Sequence, residues 1–366
     1  MRKHLNLIQL SRAFVPIFVL LFHVKAFMQV YFYYNFLQLP DVLKSGGVYY
    51  FFALSGFMVY YLYYKKFGNQ GMIGKFLFSR FVRIYPIYWI VTFAVLLAII
   101  IFPSLGEGHV KGVRTFITSL LLIPYETVPF LGVAWSLVHT VLFYLVFTVM
   151  FFKNRIISFV LALGWALISA AFSLNLLTST NYVINYLFNS NNLIFLAGVA
   201  CAYIVIRIKI NIYVAWTFVV LGMIGFPLSW INAQYGFHGI SLELTTTLAS
   251  ILLILGFSSI DLQKDIKIPK LAQYLGDASF SIYLTHYYSV SAFTLILLNP
   301  TFGVLPKMLI AIILIITSII CGCIVYSFLE KPINRKLKSL IKKEKISYPE
   351  LSSLEVENAL IKDNFK

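Results

Sequence analysis

The chain has 366 residues, of which 60% are hydrophobic and only 11% are charged, and its mean hydropathy is +0.86. A soluble domain carries about 25% charged residues, so this composition excludes a soluble protein and indicates a polytopic membrane protein. The net charge of +16 comes from short basic clusters between apolar runs, a pattern that orients membrane proteins and does not indicate nucleic-acid binding. The three cysteines provide neither a disulfide framework nor a metal motif.

Ten apolar runs are long enough for a membrane-spanning helix of about 20 residues. They lie near residues 8–30, 46–64, 81–102, 131–151, 155–174, 189–207, 211–231, 242–259, 274–296 and 305–328. The first run is too long for a removable signal peptide and lacks a small-residue cleavage site, so we interpret it as a span. We therefore predict an all-α transmembrane bundle of about ten spans over residues 1–335, with room for a re-entrant or interfacial helix in the stretch 103–130.

Alternate loops carry most of the lysine and arginine residues, as the positive-inside rule requires when the span count is right. Of the 29 lysine and arginine residues, the few that fall on the opposite side of the predicted membrane are Lys25, Lys44, Lys111, Arg114 and Lys307. We therefore expect both termini in the cytoplasm and the protein in the cytoplasmic (plasma) membrane. Residues 336–366 are predicted to form a basic juxtamembrane tail, partly disordered, that contacts anionic lipid.

The first span contains two side chains that can carry positive charge, Arg12 and His23. An interval of eleven residues makes roughly three helical turns, so both side chains share one face about 16 Å apart along the axis. Ionisable groups inside a span are costly, and their default interpretation is functional. With a cytoplasmic N-terminus, Arg12 lies near the inner surface and His23 lies toward the outer leaflet. A histidine there can take a proton from an alcohol and return it to a leaving group.

The third span begins with KFLFSRFVRIYPIYW, in which Arg80 and Arg83 share a helix face at the cytoplasmic end. Guanidinium groups suit phosphates, so this pair is a candidate for binding the nucleotide part of a ligand. The alternative is a positive-inside anchor beside interfacial aromatic residues such as Tyr88. Pro86 frees backbone groups within the span and favours a role that faces a ligand.

The fourth span begins with AWSLVHTVLFYL and brings Trp135, Ser136 and His139 to a depth comparable with that of His23. Ser136 and His139 share a helix face, which suggests a nucleophile and its base. However, neighbours at this spacing rarely align a serine hydroxyl with an imidazole, and the nearby sequence offers no carboxylate to orient the histidine. We therefore disfavour a covalent serine mechanism.

Three further stretches carry polar residues within or beside spans. Ser55 and Gly56 in FFALSGF permit close helix packing. Asp277 and His286 lie in the ninth run, where His286 has either a packing role or a role in a site. Glu330 is interpreted as a cap or as a partner of the basic tail.

Together these stretches resemble acyltransferase family 3, a family of integral membrane acyltransferases, in order from residue 8 to about 335. The matching positions are Arg12, His23, Ser55, Gly56, Phe57, Arg80, Arg83, Ile84, Pro86, Tyr88, Trp135, Ser136, Leu137, Phe143, Tyr144, Leu275, Gly276, Ser279, Tyr283, Leu284 and His286. The resemblance implies that His23 is essential to acyl transfer and that the third-span element serves the acyl donor. The family usually has a glutamate where this chain has Thr140, so the carboxylate expected near the reacting histidine is missing.

The resemblance implies an integral membrane O-acyltransferase, foremost an O-acetyltransferase, that moves an acyl group from cytoplasmic acetyl-CoA to a hydroxyl of an envelope polysaccharide or lipid-linked saccharide. The expected site residues are His23, Arg12 and His139 for catalysis, Arg80, Arg83 and Tyr88 for the donor, and Trp135, Ser136 and His286 for the acceptor, without a metal. Expected partners are the glycan acceptor and membrane lipid, with no nucleic acid, and a homo-oligomer is left open. Two alternatives remain, a glycan or lipid exporter without acyl chemistry and an inactive scaffold relative that Thr140 suggests.

Overall fold

A computed structural model describes residues 5–40, 45–103, 112–236, 239–302 and 304–346, and the described residues form helices joined by short connections, with no strand among them. The helices are α1 (Asn6–Phe32), α2 (Gly47–Tyr63), α3 (Met72–Ile101), α4 (Val113–Leu120), α5 (Trp135–Phe147), α6 (Arg155–Ser173), α7 (Tyr182–Leu187), α8 (Asn191–Arg207), α9 (Ile212–Tyr235), α10 (Leu242–Gln263), α11 (Lys270–Leu297), α12 (Lys307–Val325) and α13 (Lys331–Ile346). Each predicted span coincides with one of them. The predicted tail begins within α13, and its part beyond residue 346 lies outside the described residues.

Eight helical segments in the described part of the chain have the length and apolar composition of a membrane span. The two other predicted spans correspond to α2, which has only 17 residues, and to α11, which is longer but contains more polar residues. Both pack among other helices, α2 against α8 and α11 between α1 and α12. The predicted all-helical membrane fold is confirmed, whereas the count of ten spans and the side of the termini stay predictions.

Helix α1, which carries Arg12 and His23, begins at a buried carboxylate. Asp261 on α10 is 1% exposed and accepts hydrogen bonds from the backbone N–H of Leu7 at 2.9 Å and of Ile8 at 3.1 Å. Such first-turn N–H groups have no partner within their own helix, and a negative charge there also interacts favourably with the helix dipole. The contact therefore fixes the start of α1 against the end of α10.

Helices α2 and α8 approach each other at two glycines. A Cβ atom added to Gly56 would overlap the carbonyl oxygen of Phe195, and one added to Gly198 would overlap the carbonyl oxygen of Ala53. Small residues at such crossings let two helix backbones come into contact. The close packing predicted at Gly56 is therefore confirmed.

The short helix α4 lies within the stretch where an additional helix was predicted. Its C-terminal carbonyls accept hydrogen bonds from side chains of α3: Tyr88 Oη donates to Ser119 at 2.8 Å, and Trp89 Nε1 donates to Leu120 at 2.8 Å. These bonds satisfy backbone groups that a helix end leaves without partners. The aromatic residues of the third span thus hold α4 in place.

Candidate active site

His23 lines a cavity of about 310 Å³, here called the histidine cavity. Helix α1 contributes His23, the start of α2 contributes Val48, and Trp135 and Tyr283 come from α5 and α11. The imidazole of His23 lies against two rings of α11, with centroids 5.0 Å from that of His286 and 5.4 Å from that of Tyr287. The side chain therefore faces a protein cavity within the bundle.

His286 lies behind His23 and is 1% exposed. Its Nδ1 atom is 2.6 Å from the carbonyl oxygen of Tyr283, which can only accept, so we assign the ring hydrogen to Nδ1. In the neutral ring, Nε2 then carries a free lone pair, and it is buried with no hydrogen-bond partner among the described residues. His286 does not line the histidine cavity. The structure thus places this expected acceptor-binding residue against His23 and away from the cavity surface.

Arg12, Arg80 and Arg83 line a second cavity of about 520 Å³, here called the inner cavity. The other charged or amide side chains that line it are Asp277, Glu330, Lys331, Asn334 and Arg335. The lining contains five cationic side chains and two carboxylates. Its net charge is therefore positive, which favours an anionic ligand. The structure thus brings the first-span arginine together with the third-span pair.

Lys331 and Arg335 are candidate site residues that sequence analysis missed, because the segment after the last span was interpreted as an exposed basic tail. They lie four residues apart on α13 and so share a helix face. Helix α13 follows a π-helical turn at Tyr326–Glu330, and π-helical turns are frequent at functional sites. The spacing of the two cations is the signal in the sequence that could have identified them.

Two of the three arginine side chains, those of Arg80 and Arg12, are held in place by their neighbours. Arg80 is 9% exposed, and its guanidinium carbon lies 5.6 Å, 5.5 Å and 5.4 Å from the ring centroids of Tyr63, Phe76 and Tyr144. Arg12 donates hydrogen bonds to Gln9 Oε1 at 3.0 Å and to Ser279 Oγ at 3.2 Å. A planar guanidinium fixed in this way can present its remaining donors to phosphate oxygens at little cost in side-chain entropy.

A smaller cavity of about 110 Å³, here called the middle cavity, shares lining residues with each of the other two. Arg12, Arg80 and Arg83 line both the middle and the inner cavity. Val48 and Tyr283 line both the middle cavity and the histidine cavity. The cavities therefore follow one another from the arginine cluster to His23.

Tyr283 stands between the middle cavity and the histidine cavity. Its hydroxyl lies 2.8 Å from Ser136 Oγ and donates to the carbonyl oxygen of Val133 at 3.1 Å. Its ring also packs edge-on against Phe51, with centroids 6.1 Å apart. The side chain is thus held in the wall that the two cavities share.

The expected residues of α5 face different surroundings. Ser136 lines the middle cavity and is bonded to Tyr283, while the Nε2 atom of His139 lies 3.2 Å from Asn191 Nδ2. His139 lines neither the histidine cavity nor the middle cavity, so the structure does not bring it to His23 as a second catalytic group. Ser136 and His139 are also not bonded to each other in the way a serine nucleophile and its base would be.

Thr140 and Tyr88 also lie in surroundings that differ from those expected from the sequence. Thr140 lines the middle cavity with the arginines, so the position where the family usually has a glutamate does not face the cavity of His23. Tyr88 lines none of the three cavities, and its hydroxyl is bonded to Ser119. The structure gives Tyr88 a role in holding α4 and no contact with the expected donor site.

Residues 6–327 match the family described as "Acyltransferase domain". The chain belongs to acyltransferase family 3. The resemblance inferred from the motifs is thus confirmed, and the protein is an acyltransferase. This family member is 27% identical over 318 residues to the "Exopolysaccharide production protein ExoZ" of Rhizobium meliloti (strain 1021), an alignment that covers 80% of this chain and 90% of that protein. No solved structure matches this acyltransferase.

Proposed function

We propose that this acyltransferase moves an acyl group, foremost acetyl, from cytoplasmic acyl-CoA to a hydroxyl of an envelope polysaccharide or lipid-linked saccharide. The observation that carries the proposal is the series of cavities leading from the guanidinium groups of Arg12, Arg80 and Arg83 to the imidazole of His23. The similarity to an exopolysaccharide production protein supports a polysaccharide as the acceptor class.

The inner cavity suits the nucleotide end of CoA, because its cations can form charge-assisted hydrogen bonds with phosphate oxygens. From there the thin pantetheine arm extends through the middle cavity, past Ser136, and passes between Val48 and the ring of Tyr283, which line both cavities, to place the thioester beside His23. The middle cavity is small, and Phe51, Leu54 and Leu137 line it beside the polar groups, which suits a narrow, partly apolar chain. The histidine cavity of about 310 Å³ must hold the acyl group and the acceptor hydroxyl together, which favours a small acyl group such as acetyl.

His23 acts as the general base. The acceptor oxygen attacks the thioester carbonyl carbon while the imidazole takes the hydroxyl proton, and the carbon–sulfur bond breaks as the tetrahedral intermediate collapses. The imidazolium then returns the proton to the thiolate, which leaves an ester on the acceptor and a free CoA thiol. General acid–base catalysis of this kind supplies about 10²- to 10⁴-fold in rate, and alignment of the reactants supplies more. No covalent enzyme intermediate is needed.

The membrane orientation follows from the same proposal. The distribution of Lys and Arg supports an inner cavity that opens to the cytoplasm, where acyl-CoA is present, and a histidine cavity toward the outer face of the plasma membrane. The enzyme would then receive the donor from one side and the acceptor from the other.

The test uses the purified full-length chain in proteoliposomes, with acetyl-CoA carrying a radioactive acetyl group and with de-O-acylated polysaccharide from the producing strain. We expect label in the polysaccharide and an equal amount of free CoA thiol, both lost in a His23→Ala variant that still inserts and keeps its elution volume on size exclusion. A glycan exporter or an inactive scaffold would leave the thioester intact. Undiminished transfer by His23→Ala would defeat the mechanism.

A further inference from the structure

Trp135 forms one wall of the histidine cavity, and it also lines a separate cavity that holds His139. This aromatic cavity has a volume of about 360 Å³, and its rings come from Tyr125, Trp135, His139, Tyr182 and Tyr186. The rings of His139 and Tyr186 are stacked with centroids 3.9 Å apart, and the Tyr186 hydroxyl donates to the backbone carbonyl oxygen of Trp135 at 3.0 Å. These aromatic surfaces are therefore held in place before a ligand binds.

A larger cavity of about 540 Å³, here called the amide cavity, is lined by a different part of the α7 surface. Its amide, hydroxyl and carboxylate side chains are those of Ser173, Asn175, Thr178, Ser179, Asn185, Asn189, Ser190, Ser241 and Glu243. Phe172 and Phe188 also line it, with their rings stacked at 5.7 Å. The lining offers hydrogen-bond donors and acceptors beside apolar ring surface, which are the two contacts that the hydroxyl edge and the C–H faces of a pyranose ring require.

Helix α7 separates the two cavities and contributes to both. Tyr182 and Tyr186, four residues apart on one face, line the aromatic cavity, and Asn185 lines the amide cavity. The carbonyl oxygen of Leu187 accepts a hydrogen bond from Trp165 Nε1 at 3.0 Å, which fixes the end of α7 to α6. The histidine, aromatic and amide cavities thus follow one another, with Trp135 and then α7 as the walls between neighbours.

The charge of these cavities restricts the ligand class. Among the described residues that line them, the aromatic and amide cavities have no lysine or arginine, and their charged side chains are Glu126 and Glu243. A phosphate or an acidic sugar would find no cation among these lining residues, in contrast with the inner cavity; Arg114, outside the lining, has its guanidinium carbon 5.1 Å from the centroid of the Tyr125 ring. An acyl tail would leave the polar groups of the amide cavity without hydrogen bonds, which is costly. A neutral ligand rich in hydroxyl groups meets neither penalty.

We propose that the aromatic and amide cavities bind the unreacting sugar units of the acceptor, which is therefore a chain of neutral sugars. The proposal rests on the proposed function, because it places the reacting unit in the histidine cavity. Binding of remote units would hold the reacting hydroxyl beside His23, so that their binding energy contributes to turnover and not only to affinity.

The test compares acceptors of different length with the purified full-length enzyme and labelled acetyl-CoA. De-O-acylated polysaccharide of the producing strain is hydrolysed into three fractions: single sugars, one repeat unit and several repeat units. We expect kcat/KM to rise at least about tenfold from single sugars to the longest fraction, the equivalent of one hydrogen bond to a charged group. Equal kcat/KM values for all three fractions would overturn the proposal. Acylation of no fraction, with the thioester intact, would instead defeat the proposed function.

Two variants test whether the dependence of kcat/KM on acceptor length arises from the aromatic and amide cavities. Tyr182→Ala removes a ring from the aromatic cavity and Glu243→Ala removes the carboxylate from the amide cavity, so each is expected to lower the ratio of long-fraction to single-sugar kcat/KM severalfold. The matched control is Tyr33→Asn, which replaces a tyrosine that is 88% exposed and in the positive-φ conformation that asparagine also adopts. The control should keep the wild-type ratio, and wild-type ratios in both cavity variants would overturn the assignment.

Discussion

The imidazole rings of His23 on α1 and His286 on α11 lie 5.0 Å apart between centroids, with 50° between their planes. The bond from Nδ1 of His286 to the carbonyl oxygen of Tyr283 leaves its Nε2 as an acceptor. That Nε2 atom has no hydrogen-bond partner among the described residues, so His286 contacts His23 by packing of the two rings, which can fix the ring orientation of the proposed general base. We therefore interpret His286 as a positioning residue that acts through His23.

The first prediction concerns this pair. Replacing His286 with Gln is expected to lower kcat by roughly 10-fold, less than the loss of about 10²- to 10⁴-fold expected for His23→Ala, because the general base itself remains. The KM for acetyl-CoA should stay unchanged, since the inner cavity does not include this residue. Steady-state kinetics in proteoliposomes measures both constants.

A matched control for His286→Gln is Thr294→Val. Thr294 is 1% exposed on the same helix and lines neither the inner, the middle nor the histidine cavity. It should leave kcat and KM near the wild-type values. A rise in KM with unchanged kcat for His286→Gln would contradict the positioning role and indicate a contact with substrate.

The second prediction concerns the donor end. Arg83→Ala and Arg335→Ala are each expected to weaken acetyl-CoA binding about tenfold, the usual contribution of one hydrogen bond between charged groups. Lys264→Ala, which removes an exposed cation after α10 that does not line the inner cavity, is the control. Titration of each variant with acetyl-CoA measures its affinity for the donor. Titration with the 3′-dephospho form, which lacks one phosphate, measures the affinity for a less charged donor. If neither variant changes either affinity, the nucleotide does not bind in the inner cavity.

The third prediction concerns Tyr283, which lies in the wall shared by the middle and histidine cavities. Tyr283→Ala removes the ring between the middle and histidine cavities, so water should reach the thioester and hydrolysis of acetyl-CoA without acceptor should rise severalfold. Tyr283→Phe keeps the ring and loses only the hydroxyl bonds to Ser136 and Val133, so its hydrolysis should stay near the wild-type rate. A thiol assay follows both. Wild-type hydrolysis in a folded Tyr283→Ala protein would show that this ring does not separate the cavities.

The sequence was sufficient to predict the helical membrane fold and to single out Arg12, His23, Arg80 and Arg83. These residues stand out because an ionisable side chain within or beside an apolar run has few structural explanations. Their grouping into one series of cavities could not be predicted, since it depends on which faces of distant helices pack together. The approach of α11 to α1, which places His286 behind His23, is a property of tertiary packing and is not encoded in the spacing of either segment.

The departures from expectation have a common physical origin. His139 and Ser136 share a helix face in the sequence, yet a separation of three residues leaves roughly 60° between them, enough to direct them to different cavities. Thr140 follows Ser136 by one turn and so faces the middle cavity with the arginines. A pattern along one helix specifies which residues are neighbours on its surface, while the surrounding helices decide which surface becomes a site.

The fourth prediction concerns the contact of α2 with α8, which sets the position of the cavity wall that Phe51 and Ser55 form. Gly56→Ala would place a Cβ atom against the backbone carbonyl of Phe195, so the helices must move apart, at a cost of about 1–3 kcal/mol for an overpacked core. The same substitution at Gly164 on α6, where an added Cβ atom would have no neighbour within 4 Å outside its own helix backbone, should instead be neutral or stabilising by up to about 1 kcal/mol. Thermal unfolding of the two variants in one detergent compares them directly. A Gly56→Ala protein as stable as Gly164→Ala would show that α2 and α8 do not meet at this glycine.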